Sequence, residues 1–553
     1  MTRFSLLLLT ASAGCFPADR NPSQTDAAEG DSNSGSDADT DTDSDADSDT
    51  DSDSDTDSDA PPPCVSYRFA ADADDWALPT IPWSDPTDLQ WTQTSGQSSR
   101  EVSGTYYGYV WSTFDINGDK VMDLVVTYDQ AEPAVGRTEW AVYLGGADGF
   151  SDTPTAWALP TLTGTGPADI LWSLTALQSQ RTVDGVAKYY AYSTFDITGD
   201  GQLDLVLSWD TTQATVGATS WKVYVGSAVG FASTPMDWAL PTLPYASASD
   251  VLWTQTAANN ARTVGGTSKD YYYKTLDITG DGLLDLVVTY DAAQPGVGAS
   301  SWSVYVGTAA GFSTEPSVWP LPSLQYASAS DIPWMQTKAQ TARMVGDVPY
   351  YYMYDTFDLT GDGLLDLVMT YDKAEPALGV SSWKVYPGTG TGFTTTGSAW
   401  SLPTLPGTGP ADLPWYVAQG QSARTVDGVS KGYYWSTFDL NGDEQVDLVL
   451  TVDNAQPTVG ATIWSTYLGE SMGFSDSATA WGLPTLPSSN ATDVLWYQTS
   501  GQNSRQVGDS YKGFVWYTMD LTGDGLLDIV VSYDGAQSDV GASRWAVYPG
   551  ECL

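Results

Sequence analysis

The chain has 553 residues, with 69 acidic and 21 basic side chains, a net charge of -48 and no histidine. That charge disfavours nucleic acid and any unaided approach to an anionic bilayer, and the missing histidine excludes Ser/His/Asp and Cys/His catalysis and every His-based zinc site. Enzyme chemistry would have to rest on carboxylates alone, and 23 Trp and 32 Tyr suit strands and packed sheets better than helices.

Residues 1–14 read as an export signal. Arg3 supplies a positive start, Phe4 to Leu9 a short apolar run, and Ala11-Ser12-Ala13-Gly14 a small-residue cleavage zone. The ending Gly14-Cys15 resembles a bacterial lipobox, with Ser12 where that motif usually has Leu, and the resemblance implies a lipid on Cys15. An ordinary secretory signal peptide is the other reading. Both export the chain, to the outer membrane or cell surface through a lipid anchor, or otherwise to the medium. The lipid is the expected membrane contact, because nothing after residue 15 is apolar for long enough to span a bilayer. Residues 15–63 follow as a tether. Between Asp31 and Ala60 stand 13 Asp, interleaved with Ser, Thr and Ala, and no basic residue. Such a stretch cannot bury apolar surface and repels itself, so it is expected to be extended and disordered.

From residue 64 to 553 the sequence is periodic. Asp115, Asp196, Asp277, Asp358, Asp439 and Asp520 are each 81 residues apart, as are Trp140, Trp221, Trp302, Trp383, Trp464 and Trp545, and the series from Trp76 through Trp157, Trp238, Trp319 and Trp400 to Trp481. In the first unit, Asp88 to Gln93, Tyr106 to Phe114, Asp123 to Tyr128 and Glu139 to Leu144 read as strands bounded by turn residues. Six units of four antiparallel strands predict an all-β fold, a six-bladed β-propeller. The competitor is an open solenoid. In a closed ring of 486 residues, Cys552 falls at position 66, two residues from Cys64, so a Cys64–Cys552 disulfide closing the ring at its termini is expected.

The chemistry sits in six Asp-rich loops. In the first, Asp115, Asn117, Asp119 and Asp123 offer side-chain oxygens at positions one, three, five and nine, and Val121 offers a backbone carbonyl at position seven. The second repeats this with Asp196, Thr198, Asp200, Gln202 and Asp204, and the third with Asp277, Thr279, Asp281, Leu283 and Asp285. Asp358, Thr360, Asp362, Leu364 and Asp366 make the fourth; Asp439, Asn441, Asp443, Gln445 and Asp447 the fifth; Asp520, Thr522, Asp524, Leu526 and Asp528 the sixth. Oxygens at this spacing suit a hard cation, as in the first part of an EF-hand loop, so Ca2+ is the expected cofactor. Position twelve holds no Glu, being Val126 in the first unit, which leaves the Asp at position nine as the anchor.

These loops, with the apolar strand after each and pairs such as Gly149-Phe150, resemble FG-GAP or VCBS-type repeats of integrin-α-like propellers. The resemblance implies calcium between two strands of each blade. It departs from the family in the longer repeat, in six blades rather than seven, and in Lys120 and Glu444, which stand where Gly is usual. The expectation is a calcium-binding, non-enzymatic surface propeller for adhesion, taking a protein or glycan ligand. A carboxylate-based polysaccharide-active enzyme and a purely structural envelope protein are the alternatives. At the end of the strands away from the loops, Arg100, Arg181, Arg262, Arg343, Arg424 and Arg505 recur opposite Asp129, Asp210, Asp291, Asp372, Asp453 and Asp534. They read either as Arg–carboxylate clamps or as a six-fold candidate ligand face.

Overall fold

The structure is a computed structural model describing residues 66–553, apart from 85–88, 167–169, 247–249, 328–330, 332, 410–412 and 491–493. The export signal, Cys15, the Asp-rich tether and Cys64 lie outside the described residues. Among the described residues the fold is all-β, in six sheets of five or seven strands, one sheet per repeat. In the first repeat Ser95–Val102, Thr105–Phe114, Asp123–Asp129 and Glu139–Tyr143 pair antiparallel in chain order, and Thr155–Ala158 adds itself beside Glu139–Tyr143.

Three of the four expected strands fall where the sequence places them, and the other does not. Of the expected strand Asp88 to Gln93, Asp88 lies outside the described residues and residues 89–93 form no strand: Leu89 and Trp91 are buried, and the Trp91 N–H donates to the Gly541 carbonyl at 2.7 Å. The first strand is Ser95–Val102, which the sequence reads as a loop. Its side chains SGQSSREV are polar and it pairs on one flank only, so no apolar alternation marks it. The local signal is its turn, where Ser103 and Gly104 both have positive φ, 52° and 83°, as a two-residue hairpin requires. The fifth strand was missed because it has four residues and buries only its Trp.

The periodic aromatic residues build the junctions between sheets. Trp140 sits opposite Trp157 across adjacent strands, and Phe231 of the next repeat meets both edge-on at 5.6 and 6.2 Å. Such pairs contribute about 0.5–1.5 kcal/mol beyond the area they bury. Three hydrogen bonds stitch the same junction: Trp140 Nε1 to the Trp172 carbonyl at 2.7 Å, Trp172 N–H to the Gly136 carbonyl at 2.7 Å, and Thr127 Oγ1 to the Ser173 carbonyl at 2.8 Å. The sixth repeat is joined to the first in the same way. Trp545 Nε1 reaches the Trp91 carbonyl at 2.6 Å, and Ser532 Oγ reaches the Thr92 carbonyl at 2.8 Å. The early strand Asp74–Ala77 completes the sixth sheet, with Trp76 opposite Trp545. Trp76, Trp91, Leu521 and Trp545 then share one apolar cluster.

The termini complete one unit between them, as the repeat arithmetic requires. Tyr67–Phe69 pairs with Gly550–Cys552, placing Phe69 opposite Gly550 and Tyr67 opposite Cys552. Phe69 meets Trp464 and Trp481 at 5.6 and 5.7 Å, just as Phe150 meets Trp545 and Trp76 at 5.6 and 5.8 Å.

Candidate metal centre

Each Asp-rich loop joins the second and third strands of its sheet, as expected, and its carboxylates organise the backbone. In the second repeat Asp196 accepts the Gly199 N–H at 2.7 Å on one oxygen and the Gly201 N–H at 2.8 Å on the other. Asp200 accepts the Gln202 N–H at 2.9 Å. Asp204, fully buried, accepts the Ile197 and Thr198 N–H groups at 3.1 Å and, from across the sheet edge, the Gly226 N–H at 2.8 Å. Lys120 and Glu444 keep the loop form despite their side chains. Their φ values are 69° and 67°, against 81° for Gly201, and each N–H reaches the position-one carboxylate at 2.8 Å.

The loops also touch one another. A Cβ on Gly118 would lie 2.5 Å from the Gly201 carbonyl oxygen of the second loop, one on Gly361 would lie 2.7 Å from that of Glu444, and one on Gly523 would lie 3.1 Å from that of Lys120 in the first. Position four is glycine because its φ of 71° to 79° lies in the left-handed region and the next loop packs close against it. The contact runs from each loop to the next and from the sixth back to the first.

Electrostatically the position-nine carboxylates are unsettled. Burial pushes Asp123, Asp204, Asp285 and Asp366 up to about 6, and Asp447 and Asp528 up to about 7, with backbone N–H groups pulling the other way. Around Asp123 the neighbouring charges that raise it further are Asp119 and Asp115. Among the described residues no three acidic side chains converge into a ready-made metal cage. The donor set still fits a hard cation. Each loop supplies carboxylates with lone pairs beyond those taken by N–H groups, and in two loops the buried Thr360 Oγ1 and Thr522 Oγ1 have no hydrogen-bond partner.

A pH response follows. These carboxyls titrate higher in the fold than their ordinary value of 3.8, so the folded chain binds the extra protons and stability falls as pH rises through that window. In chelator, the melting temperature is expected to be higher at pH 5 than at pH 7. A melting temperature that is equal or lower at pH 5 contradicts this.

At the other end of the strands the arginines are clamps, and their reading as a ligand face is corrected. The Arg181, Arg262, Arg343 and Arg505 side chains are 0% exposed and pair with Asp210, Asp291, Asp372 and Asp534 at 2.6–2.8 Å. Arg100 and Arg424 pair likewise with Asp129 and Asp453. Guanidinium groups also lie over Tyr190, Tyr271, Tyr352 and Phe514 at 5.3–5.7 Å. Burial raises the Asp210 carboxyl, but hydrogen bonds from Arg181, Gln213 and the Thr212 N–H outweigh it and hold the carboxyl below its ordinary range. Nothing dissolved in water reaches these groups.

What this end does expose, the sequence did not single out. Trp83, Tyr245 and Tyr326 stand at one repeat position, 71%, 75% and 60% exposed, with φ of 61°, 65° and 64°. The available signal was that the same position is Gly164 and Gly407 in two other repeats.

No family model matches the chain, and no curated protein does. The likeness to FG-GAP and VCBS repeats therefore rests on the loop motif. Among solved structures, a triple arginine mutant of AofleA from Arthrobotrys oligospora is 11% identical, covering 85% of this chain and 89% of that one, with a TM-score of 0.16. The V. cholerae biofilm matrix protein Bap1 is 10% identical, covering 88% and 91%, with a TM-score of 0.17. RS223 β-xylosidase is 10% identical, covering 67% and 90%, with a TM-score of 0.14. The chain itself is a six-sheet, propeller-like all-β fold built from 81-residue repeats.

Proposed function

We propose that this chain is an exported, calcium-binding six-bladed β-propeller of FG-GAP or VCBS type, closed at its termini. It works at the cell surface, lipid-anchored through Cys15, as a non-enzymatic module for adhesion to a protein or glycan. The observation carrying this reading is the six-fold repetition of the Asp-rich loops, each burying a position-nine carboxylate held by backbone N–H groups, with the Thr279 hydroxyl adding a bond to Asp285 in the third. The Asp at positions one, five and nine, the Asn or Thr at three and the carbonyl at seven would hold the ion. Calcium supplies the positive charge that the loops lack, and the chain's own residues orient the loop around it. Equivalence of all six units argues for a binding scaffold, because catalysis concentrates unusual residues in one place.

The test is thermal and calorimetric. Calcium at a hundred times its dissociation constant stabilises a protein by about 2.7 kcal/mol per site that binds only the fold. The melting temperature is expected to rise in calcium and fall in chelator, with the loops starting at Asp196, Asp277, Asp358 and Asp520 binding most tightly. Identical melting curves in calcium and chelator would end the proposal.

A further inference from the structure

We infer that the turns displaying Trp83, Tyr245 and Tyr326 form a multivalent binding face for an uncharged polysaccharide; this deepens the adhesion reading and rests on it. A bulky side chain at φ near 60° is a genuine outlier, since the left-handed region favours glycine. Here the outlier recurs in three repeats with φ of 61°, 65° and 64°, while two others carry Gly164 and Gly407 and the last carries the small Ser488 at 63°. Packing does not require the rings, which are 71%, 75% and 60% exposed. The turn is nonetheless held firmly. Arg100 donates to the Pro82 carbonyl at 2.9 Å, Arg262 to the Pro244 carbonyl at 3.3 Å and Arg343 to the Gln325 carbonyl at 3.1 Å, in each case the residue just before the aromatic one. The buried clamp thus fixes the backbone on which each exposed ring stands. Strain retained at an exposed position points to use rather than stability.

The occupant follows from isolation and charge. Three of the six repeats place one such ring on this turn, each on a separate repeat, whereas a protein interface is built around a contiguous apolar centre. A single rigid ring offers a flat face at little entropic cost, which suits the C–H face of a pyranose, and rings on separate repeats suit a polymer that repeats its sugar. A chain of net charge -48 repels polyanions, which excludes an acidic polymer and leaves the uncharged class that a bare ring face recognises without an ionic partner. No covalent step is involved.

The control is built into the repeats. Trp83→Gly, Tyr245→Gly and Tyr326→Gly together install the residue that Gly164 and Gly407 already provide, so the fold tolerates the change. Calcium-loaded, full-length protein is run through native gels containing xylan, mixed-linkage β-glucan, galactomannan or dextran. Wild type is expected to be retarded by at least one of them, and the triple variant to bind that polymer at least tenfold more weakly with an unchanged melting temperature. Tyr245→Phe with Tyr326→Phe, which keeps the rings and removes only their hydroxyls, should be retarded as wild type is. No retardation of wild type, or retardation equal in the triple variant, overturns the inference. The calcium response of the same samples reports separately on the proposed function.

Discussion

Arg262→Met is expected to lower the unfolding free energy by about 3–5 kcal/mol, because it leaves Asp291 buried and charged without its partner. Both side chains are 0% exposed and 2.7 Å apart. The Asp291 carboxylate would keep only the Ala293 N–H at 2.9 Å and the Gln294 amide at 2.6 Å. The turn carbonyl of Pro244 would lose its donor as well. Replacing both partners, as Arg262→Met with Asp291→Leu, should recover much of the loss, since an apolar pair has no charge to desolvate. Breaking the Lys222–Asp237 pair gives the contrast. Its Asp is 65% exposed, and pairs of that kind contribute about 0–1 kcal/mol. Denaturant midpoints of the three variants check the ordering. An Arg262→Met midpoint no lower than that of Lys222→Met would mean that the clamp is not structural.

The repeat period, the six units, the Asp-rich loops and the way the termini complete one unit were all legible in the sequence. They depend on residue identity at fixed spacing, which is what the 81-residue repeat displays. The strand Ser95–Val102 was not legible, because a strand exposed at a sheet margin carries no apolar alternation. The arginines were legible as clamps or as a ligand face, and the sequence could not decide between the two for the same reason. The sequence shows Arg100 recurring opposite Asp129 but not that this polar strand tucks the guanidinium beneath the turn of Pro82. With Ser95–Val102 read as a loop, Arg100 looked available to a ligand. Once it is a strand, alternation places Arg100 on the inner face while its neighbours Ser99 and Glu101 point to solvent. The aromatic display has its signal at a position that is Trp or Tyr in three repeats, Gly in two and Ser in one, which is what a left-handed turn under a second demand looks like.

A Cys64–Cys552 bridge, as proposed from the repeat arithmetic, is expected to make the largest single contribution to holding the first and last strands together. Cys552 lies opposite Tyr67 in register, three residues after Cys64 in the sequence, so a Cys64–Cys552 disulfide would enclose nearly the whole domain. For a loop that long the chain-entropy relation gives a stabilisation of about 6 kcal/mol, less any strain. Without it the closing contacts remain. Phe69 still packs on Trp464 and Trp481, Arg68 still pairs with Glu551 at 2.6 Å, and Trp76 still faces Trp545. Those groups hold one sheet edge each, and a repeat protein opens where its terminal units meet. Cys552→Ser is therefore expected to speed amide exchange first in residues 66–77 and 544–553, and to lower the denaturant midpoint, while exchange in the third-repeat strand Asp285–Asp291 stays near wild type. Peptide mapping of oxidised, exported protein without reductant should recover the two cysteines in one linked peptide pair. Two free thiols, with exchange at the termini unchanged in Cys552→Ser, would leave ring closure resting on aromatic packing and hydrogen bonds alone.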